Sequence, residues 1–336
     1  MLNNKSILIT GGTGSFGQAF VETALARFPK IKRLVVFSRD ELKQHQMSLK
    51  FPTSKYKSIR YFIGDVRDKD RLFRALKNID VVIHAAALKQ VSTAEYNPNE
   101  YIKTNIIGAQ NLIEACLDSK VKNVIALSTD KAAAPVNLYG ATKLCSDKLF
   151  VAANYYAGLG KLKFSVVRYG NVMGSRGSVL PVFLNCIKNN KPFEITDKRM
   201  TRFNLTVKQA IEMVIWSFSN TLGAEIFIPK IPSFKVMDLA KVIKSNNKII
   251  FSGIRKGEKL HEEMITSSDS ITTYDIGEKY LIIPSNEKSL INKYRNKFRT
   301  FKKVKEGFSY NSRDNSNYLK LSDLKKIVDN SINKFL

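Results

Sequence analysis

Ser6-Ile-Leu-Ile-Thr10-Gly11-Gly12-Thr13-Gly14-Ser15-Phe16-Gly17 is the stretch on which the reading of this chain turns. A short β-branched and leucine-rich run meets glycines at 11, 14 and 17, then Phe16–Arg27, whose apolar residues recur at helical spacing. Strand, glycine turn and helix in that order form an anion cradle. The glycines allow a tight turn and close backbone approach to a diphosphate, and the free N–H groups of the helix start point at it. A glycine triplet alone says little. In this context it reads as a dinucleotide-binding loop, with Gly11, Thr13, Gly14, Ser15, Phe16 and Gly17 as candidate contacts.

Outward from this unit the pattern repeats. Apolar runs recur at Arg33–Phe37, Ile59–Ile63, Asp80–His84, Asn123–Leu127 and Phe164–Arg168, separated by segments of helical spacing such as Asn99–Leu117. Near-continuous runs at this spacing predict parallel strands buried on both faces. The expected fold class is therefore α/β, a Rossmann-type doubly wound parallel sheet over residues 1–170. After Tyr169 the regularity falls away and Gly and Pro become frequent. That predicts a smaller C-terminal substrate lobe over residues 171–285, with chain returns to the first domain. Residues 286–336 hold 13 Lys+Arg against 5 Asp+Glu and read as an appended basic extension with a helix over Leu321–Ile332.

The 336 residues carry 55 Lys+Arg against 29 Asp+Glu, a net charge of +26. With 44% hydrophobic and 25% charged residues the chain is globular rather than disordered. The charge raises the question of polyanion binding. Its spread along the chain favours a lysine-rich surface, so no nucleic-acid partner is expected. Cys116, Cys145 and Cys186 are odd in number and lack CxxC spacing, which argues against a metal site or a disulfide framework. No apolar run approaches the roughly 18 residues of a bilayer span. The run after Met1–Lys5 is too short for a signal peptide. A cytoplasmic location without a membrane partner is the expectation.

The second apolar run ends at Ser38-Arg39-Asp40, with Lys43 one helical turn on. Guanidinium and ammonium groups suit a ribose 2′-phosphate, which favours NADP. The alternative is NAD, with Asp40 on the 2′-hydroxyl and Arg39 solvated. Asp65 and Val66 follow the third run, at the adenine end, and Ala85–Ala87, with Ala86 at its centre, leave room for the cofactor backbone; either could be plain packing. Tyr139-Gly-Ala-Thr-Lys143 sets a phenol and an ammonium four residues apart on one helix face. A cation beside a phenol favours the phenolate. Tyr139 is thus a candidate base for an alcohol whose carbon yields hydride. His84 reads as a satisfied core histidine.

Thr10–Gly17, His84–Lys89, Leu127–Lys131, Tyr139–Lys143 and Arg168–Val172 stand in the order found in extended short-chain dehydrogenases/reductases, which the chain resembles over about residues 5–275. Within that superfamily, retaining 4,6-dehydratases carry glutamate after Thr-Asp. Here Thr129-Asp130 is followed by Lys131, which resembles the inverting UDP-N-acetylglucosamine 4,6-dehydratases. Ser38–Gln44, Ala94–Pro98, Gly174–Ser178, Met200–Phe203 and Gly253–Glu262 resemble the same enzymes, and the presence of Tyr139 resembles their pseudaminic acid branch.

The resemblance implies a lyase acting on UDP-N-acetylglucosamine with NADP as transient hydride carrier, and assembly as a dimer or hexamer. It implies that Tyr139, helped by Lys143, takes the C4 hydroxyl proton, that Lys131 takes the C5 proton, and that Asp130 protonates the departing C6 hydroxyl. Inversion at C5 would give UDP-2-acetamido-2,6-dideoxy-β-L-arabino-hex-4-ulose, the first step of pseudaminic acid or related surface-glycan synthesis. A lysine base must be partly neutral, which burial and neighbouring cations are expected to arrange. Gln44 joins the implied cofactor contacts. Lys89 and Thr129 are implied at the sugar. Asn171, Arg176, Val179 and Thr196 are implied at sugar and diphosphate, and Arg255 and Glu258 at diphosphate and uridine ribose. Arg202 reads equally as binding or structural. Two alternatives stay open: a UDP-sugar 4-epimerase or retaining dehydratase, and a non-catalytic NADP-binding regulator.

Overall fold

The computed structural model describes residues 2–158, 162–175, 177–243 and 247–332. Six strands, β1 (Ser6–Thr10), β2 (Arg33–Ser38), β3 (Ile59–Ile63), β4 (Val81–His84), β5 (Asn123–Thr129) and β6 (Lys163–Tyr169), lie in the order 3-2-1-4-5-6 and pair in parallel throughout. Helices cover both faces, so Ile7, Leu8, Ile9, Leu34, Val35, Val36, Val82 and Ile83 are all buried. Hence the unbroken apolar runs in place of an in–out alternation. The chain order reverses between β1 and β4. In such sheets ligands sit at this reversal, beyond the carboxyl ends of the strands.

Beyond β6 the sheet continues through Ile226–Pro229, parallel to it, and then through three antiparallel strands, Lys279–Ile282, Thr273–Asp275 and Lys302–Lys303. A second, smaller core gathers Met173, Leu180, Phe183, Phe193, Ile195, Met200, Phe234 and Leu239. It lies beside a three-stranded sheet of Asn171–Val172, Thr201–Leu205 and Ser233–Lys235. Among the described residues no helix is long and apolar enough to cross a membrane.

Two expectations give way. The described part of residues 286–336 is not an appendage; it is built into both cores. Tyr294, on the helix Lys288–Lys297, is buried and donates its hydroxyl to Glu225 Oε2 at 2.5 Å. Leu324 and Val328, on the helix Leu321–Ile332, complete the second core, and Tyr310–Asn311 pairs with Glu263–Ile265. The partners of these anchors are distant in sequence, so the local pattern, which shows the helix Leu321–Ile332, does not show what that helix packs against. The segment Asn99–Leu117 is not one α-helix either. Ile102–Ile107 forms a π-helical turn between Pro98–Tyr101 and Gly108–Leu117. This stretch holds Asn105, whose amide meets the N–H and C=O of Leu88, at 2.9 Å each, and the Thr142 hydroxyl at 3.0 Å. The wide turn thereby ties the loop after β4 to the helix carrying Tyr139, a common setting for such turns near functional sites.

Candidate active site

A cleft of about 640 Å³ runs along the carboxyl ends of the parallel strands and between the two lobes. One wall is the glycine stretch. β1 runs into α1 (Ser15–Arg27) through Gly11 at φ +65°, and a Cβ there would lie 2.8 Å from the Ala86 nitrogen and 2.9 Å from the Ala85 carbonyl carbon. Only glycine lets the loop come this close to the end of β4. Gly14 caps α1 with no side-chain hydrogen bond, and the first turn has no acidic residue. The partial positive charge of this helix end therefore faces the cleft without an internal anion. Gly11, Gly14, Ser15, Phe16 and Gly17 line the cleft, while the Thr13 hydroxyl turns back to bond Ser38 Oγ at 2.8 Å.

At the end of β2 the candidates divide. Arg39 is half exposed, with its guanidinium 3.6 Å from Asp65 Oδ2. Asp40 caps the helix α2 (Glu41–Lys50), accepting from the Lys43 N–H at 2.9 Å, and its carboxylate also meets the Lys43 ammonium. Gln44 is buried, and its amide donates to the carbonyls of Ser38 and Phe62 at 2.8 Å each, bracing the ends of β2 and β3. Val66 is packed in the main core, and the Ala86 N–H donates to the Thr10 hydroxyl at 3.2 Å. His84 is likewise internal: its Nδ1 pairs with the Thr10 hydroxyl at 2.9 Å, and burial with the Lys143 charge pushes its pKa down to about 3.

The Tyr139 helix, Leu138–Tyr156, is capped by Asn137, which accepts from the Gly140 N–H at 2.8 Å. Gly140 lies directly under the Lys131 carbonyl, where a Cβ has no space. This contact seats the Asp130–Ala132 turn on the helix beside Tyr139. Gly140→Ala is expected to displace that turn. Stability should fall by about 1–3 kcal/mol and turnover by about 10²-fold, as measured by thermal unfolding and product formation.

Tyr139 and Lys143 are both buried. The Lys143 ammonium extends to the Leu127 carbonyl at 2.9 Å, and burial lowers its pKa against the pull of Asp147. Burial pushes the Tyr139 phenol up to about 12, and the cation opposing this is Lys131, together with the Thr129 hydroxyl. Sharing a helix face set the two side chains on one side; the Leu127 carbonyl of β5 accepts from the longer one.

One expectation is corrected at Lys131. The groups in ion-pair contact with it are carboxylates. Lys131 Nζ lies 3.0 Å from Asp130 Oδ1 and 3.0 Å from Glu262 Oε1. Burial alone would lower its pKa, but Asp130 and Glu262 outweigh burial and Arg202 and hold it above the ordinary lysine value. Asp130 is fully buried. Its Oδ1 also accepts from the Thr129 hydroxyl at 2.9 Å, and burial pushes its pKa up, towards the protonated acid.

The remaining candidates line the second-lobe side and the mouth. Lys89 faces the cleft with its pKa lowered by burial and by Lys131. Val179 and Thr196 form the wall, the Thr196 hydroxyl meeting Met200 Sδ at 3.0 Å. Arg255, largely exposed at the mouth, reaches Glu194 at 3.1 Å. Glu258 accepts from the Arg255 N–H at 3.3 Å and lies 3.7 Å from Arg202. Arg176 is outside the described residues.

Five buried polar atoms of the lining, Asp130 Oδ2, Asn171 Oδ1, Ser178 Oγ, Asn204 Oδ1 and Glu262 Oε2, have no hydrogen-bond partner. Each such atom costs about 1–3 kcal/mol if left so, and five in one cleft suit a ligand dense in hydroxyl and amide groups. Sequence reasoning missed Asn204, Lys259 and Glu262 as lining residues. Glu262 closes the segment Gly253–Glu262, but nothing local in that segment shows that its carboxylate meets Lys131.

Over residues 7–284 the chain matches the family described as Polysaccharide biosynthesis protein. A UDP-N-acetylglucosamine 4,6-dehydratase (inverting) of Campylobacter jejuni subsp. jejuni serotype O:23/36 (strain 81-176) is 52% identical, over 98% of this chain and 99% of that protein. A UDP-glucose 4-epimerase of Rickettsia bellii (strain OSU 85-389) is 44% identical over 84% of each. Among solved structures, Pen from Bacillus thuringiensis matches with a TM-score of 0.88 at 38% identity, covering 99% of both chains.

Proposed function

The chain belongs to the polysaccharide biosynthesis protein family, and from that premise we propose that it is an inverting 4,6-dehydratase of UDP-N-acetylglucosamine. The product is UDP-2-acetamido-2,6-dideoxy-β-L-arabino-hex-4-ulose, which opens a route to pseudaminic acid or a related surface glycan. The observation that supports this reading most is the buried Asp130–Lys131 pair beside Tyr139, in a cleft with five buried polar atoms that have no hydrogen-bond partner.

The glycine cradle, the uncapped start of α1 and the half-exposed Arg39 suit a nicotinamide dinucleotide. When bound it supplies a hydride acceptor that gives the hydride back within the same turnover. Tyr139 takes the C4 hydroxyl proton. The Lys131 charge and the Thr129 hydroxyl lower the cost of forming its phenolate in a buried site. The C4 ketone then acidifies C5–H. Lys131 removes that proton, and Asp130, kept towards its acid form by burial, protonates the C6 hydroxyl, which leaves as water. Reprotonation of C5 from the opposite face inverts that centre.

The preference is for NADP. Asp40, the acidic residue best placed for a ribose 2′-hydroxyl, is engaged in capping α2 and in meeting Lys43, whereas Arg39 is half exposed, with its guanidinium 3.6 Å from Asp65. Arg39→Ala is expected to weaken NADP binding about 10- to 100-fold, the equivalent of one charge-assisted hydrogen bond, with little change for NAD. Fluorescence titration with each dinucleotide reads this difference.

The function itself is tested by incubating the protein with UDP-N-acetylglucosamine in D₂O and following the sugar by NMR. A 6-deoxy-4-keto product of L-configuration with deuterium at C5 is expected. The Rickettsia relatives named as epimerases favour a second reading, 4-epimerisation. Recovery of UDP-N-acetylgalactosamine alone would overturn the dehydratase in favour of it.

A further inference from the structure

Glu262 has no part in the steps above, yet it touches the group that makes the central one. It immediately precedes the strand Glu263–Ile265, and both of its backbone groups are held by Ser312. Its N–H donates to Ser312 Oγ at 2.9 Å, and its carbonyl accepts from the Ser312 N–H at 2.7 Å. The side chain is 2% exposed. Oε1 is 3.0 Å from Lys131 Nζ and 3.6 Å from Arg202 Nε. Oε2 lies in the cleft lining, buried and without a hydrogen-bond partner.

A Lys131 base needs somewhere to put its own proton before it can take one from C5. Two carboxyl groups touch it. Asp130 is pushed by burial towards its acid form, which suits it to protonate the C6 hydroxyl and unsuits it to accept another proton. Glu262 is different: despite burial, Lys131 and Arg202 hold it as carboxylate. It is the acceptor in contact.

We propose that Glu262 is the positioning residue that sets the charge of Lys131. It holds the ammonium in place in the ligand-free cleft and through the C4 step, and takes one of its protons once the C4 ketone has formed in a cleft that bound sugar has closed to water. In that step an N–H bond of Lys131 breaks and an O–H bond forms on Glu262, leaving a neutral amine and a neutral acid. The exchange is favoured as the surroundings lose water, because a buried neutral pair avoids the desolvation of two charges. The amine then takes the C5 proton. The other groups around Lys131 are Arg202, Lys89 and Lys259, all cationic or lowered by burial, and Tyr139, and Glu258 acts on it only through Arg202. None of these accepts a proton from Lys131 at neutral pH.

The proposal rests on the dehydratase reading, and the test separates the two. Wild type, Glu262→Gln and Glu262→Asp are assayed with UDP-N-acetylglucosamine from pH 6 to 10, with C5-protiated and C5-deuterated substrate. Glu262→Gln is expected to lose about 10²-fold in kcat at neutral pH and to recover steeply as pH rises, because Lys131 then loses its proton to solvent. The C5 isotope effect should grow where the rate is low. Glu262→Asp keeps a carboxylate one methylene further away, and it should show a reduced kcat with the wild-type profile shape, which also serves if the glutamine variant does not fold. An unchanged kcat at neutral pH, or a loss of the same size at every pH, overturns the proposal alone. Absence of any dehydrated product from wild type overturns the dehydratase reading and the proposal with it.

Discussion

Lys131→Ala is expected to abolish formation of the 4-keto-6-deoxy sugar, with kcat down by about 10³-fold or more, while dinucleotide binding stays near wild type. The reason is chemical and local. Lys131 is the basic group between Asp130 and Glu262, and both contacts are 3.0 Å. The glycine cradle belongs to β1 and α1 and does not depend on it. Removing the ammonium leaves two buried carboxyl groups side by side. Breaking a buried ion pair in this way costs about 3–5 kcal/mol, so both carboxyls should shift towards their acid forms. Product formation, dinucleotide titration and thermal unfolding on the same preparation separate lost chemistry from lost fold. A variant that keeps more than about a tenth of wild-type turnover, where one proton-transfer group is worth at least 10²-fold, would remove Lys131 from the C5 step.

The second large effect is at Tyr139. Tyr139→Phe keeps the buried ring among Ala94, Tyr101 and Leu138 and removes only the hydroxyl. Packing should barely change, and KM should stay within a few-fold. Turnover should fall by about 10³- to 10⁴-fold, because C5 is not acidified until C4 is a ketone. Deuterium exchange at C5 should vanish together with product. Exchange at C5 without product would mean that C5 is activated by some other route and would sink the role given to Tyr139. The wild-type protein should also show an acid limb in its rate profile. A phenol pushed up to about 12 by burial is the protonated species over the whole ordinary range. Its loss of a proton therefore gains as pH rises, and the rate rises with it until another group limits.

How far the sequence could be read depended on how far apart the partners lie. The cradle was legible because Gly11, Gly14 and Gly17 act within one strand–turn–helix unit. The sheet was legible because its parallel strands, buried on both faces except at the β3 edge, leave nearly unbroken apolar runs. Tyr139 and Lys143 were located by helical spacing, yet spacing does not say where a long side chain ends. The carbonyl of Leu127 took Lys143. The charge state of Lys131 was illegible for the same kind of reason. It is set by the adjacent Asp130 together with Glu262, 131 positions along the chain, and the second contact exists only after the Glu263–Ile265 strand is laid beside the Asp130–Ala132 turn. The final fifty residues were misread because Tyr294, Leu324 and Val328 find their partners across the fold: helical spacing located the Leu321–Ile332 helix but not the core it completes.

The way Ser312 grips the backbone of Glu262 bears on when during synthesis the protein becomes competent. A growing chain that has reached residue 300 already contains the glycine cradle, Tyr139 and Lys131. It has nothing to seat Glu262, no Leu324 or Val328 in the second core, and no Tyr310 beside Phe203. Domains tend to form from the N-terminus as they emerge, so the nucleotide end is assembled early and the proton-handling end is completed last. Nascent chains should acquire dinucleotide affinity well before they acquire the ability to turn over sugar.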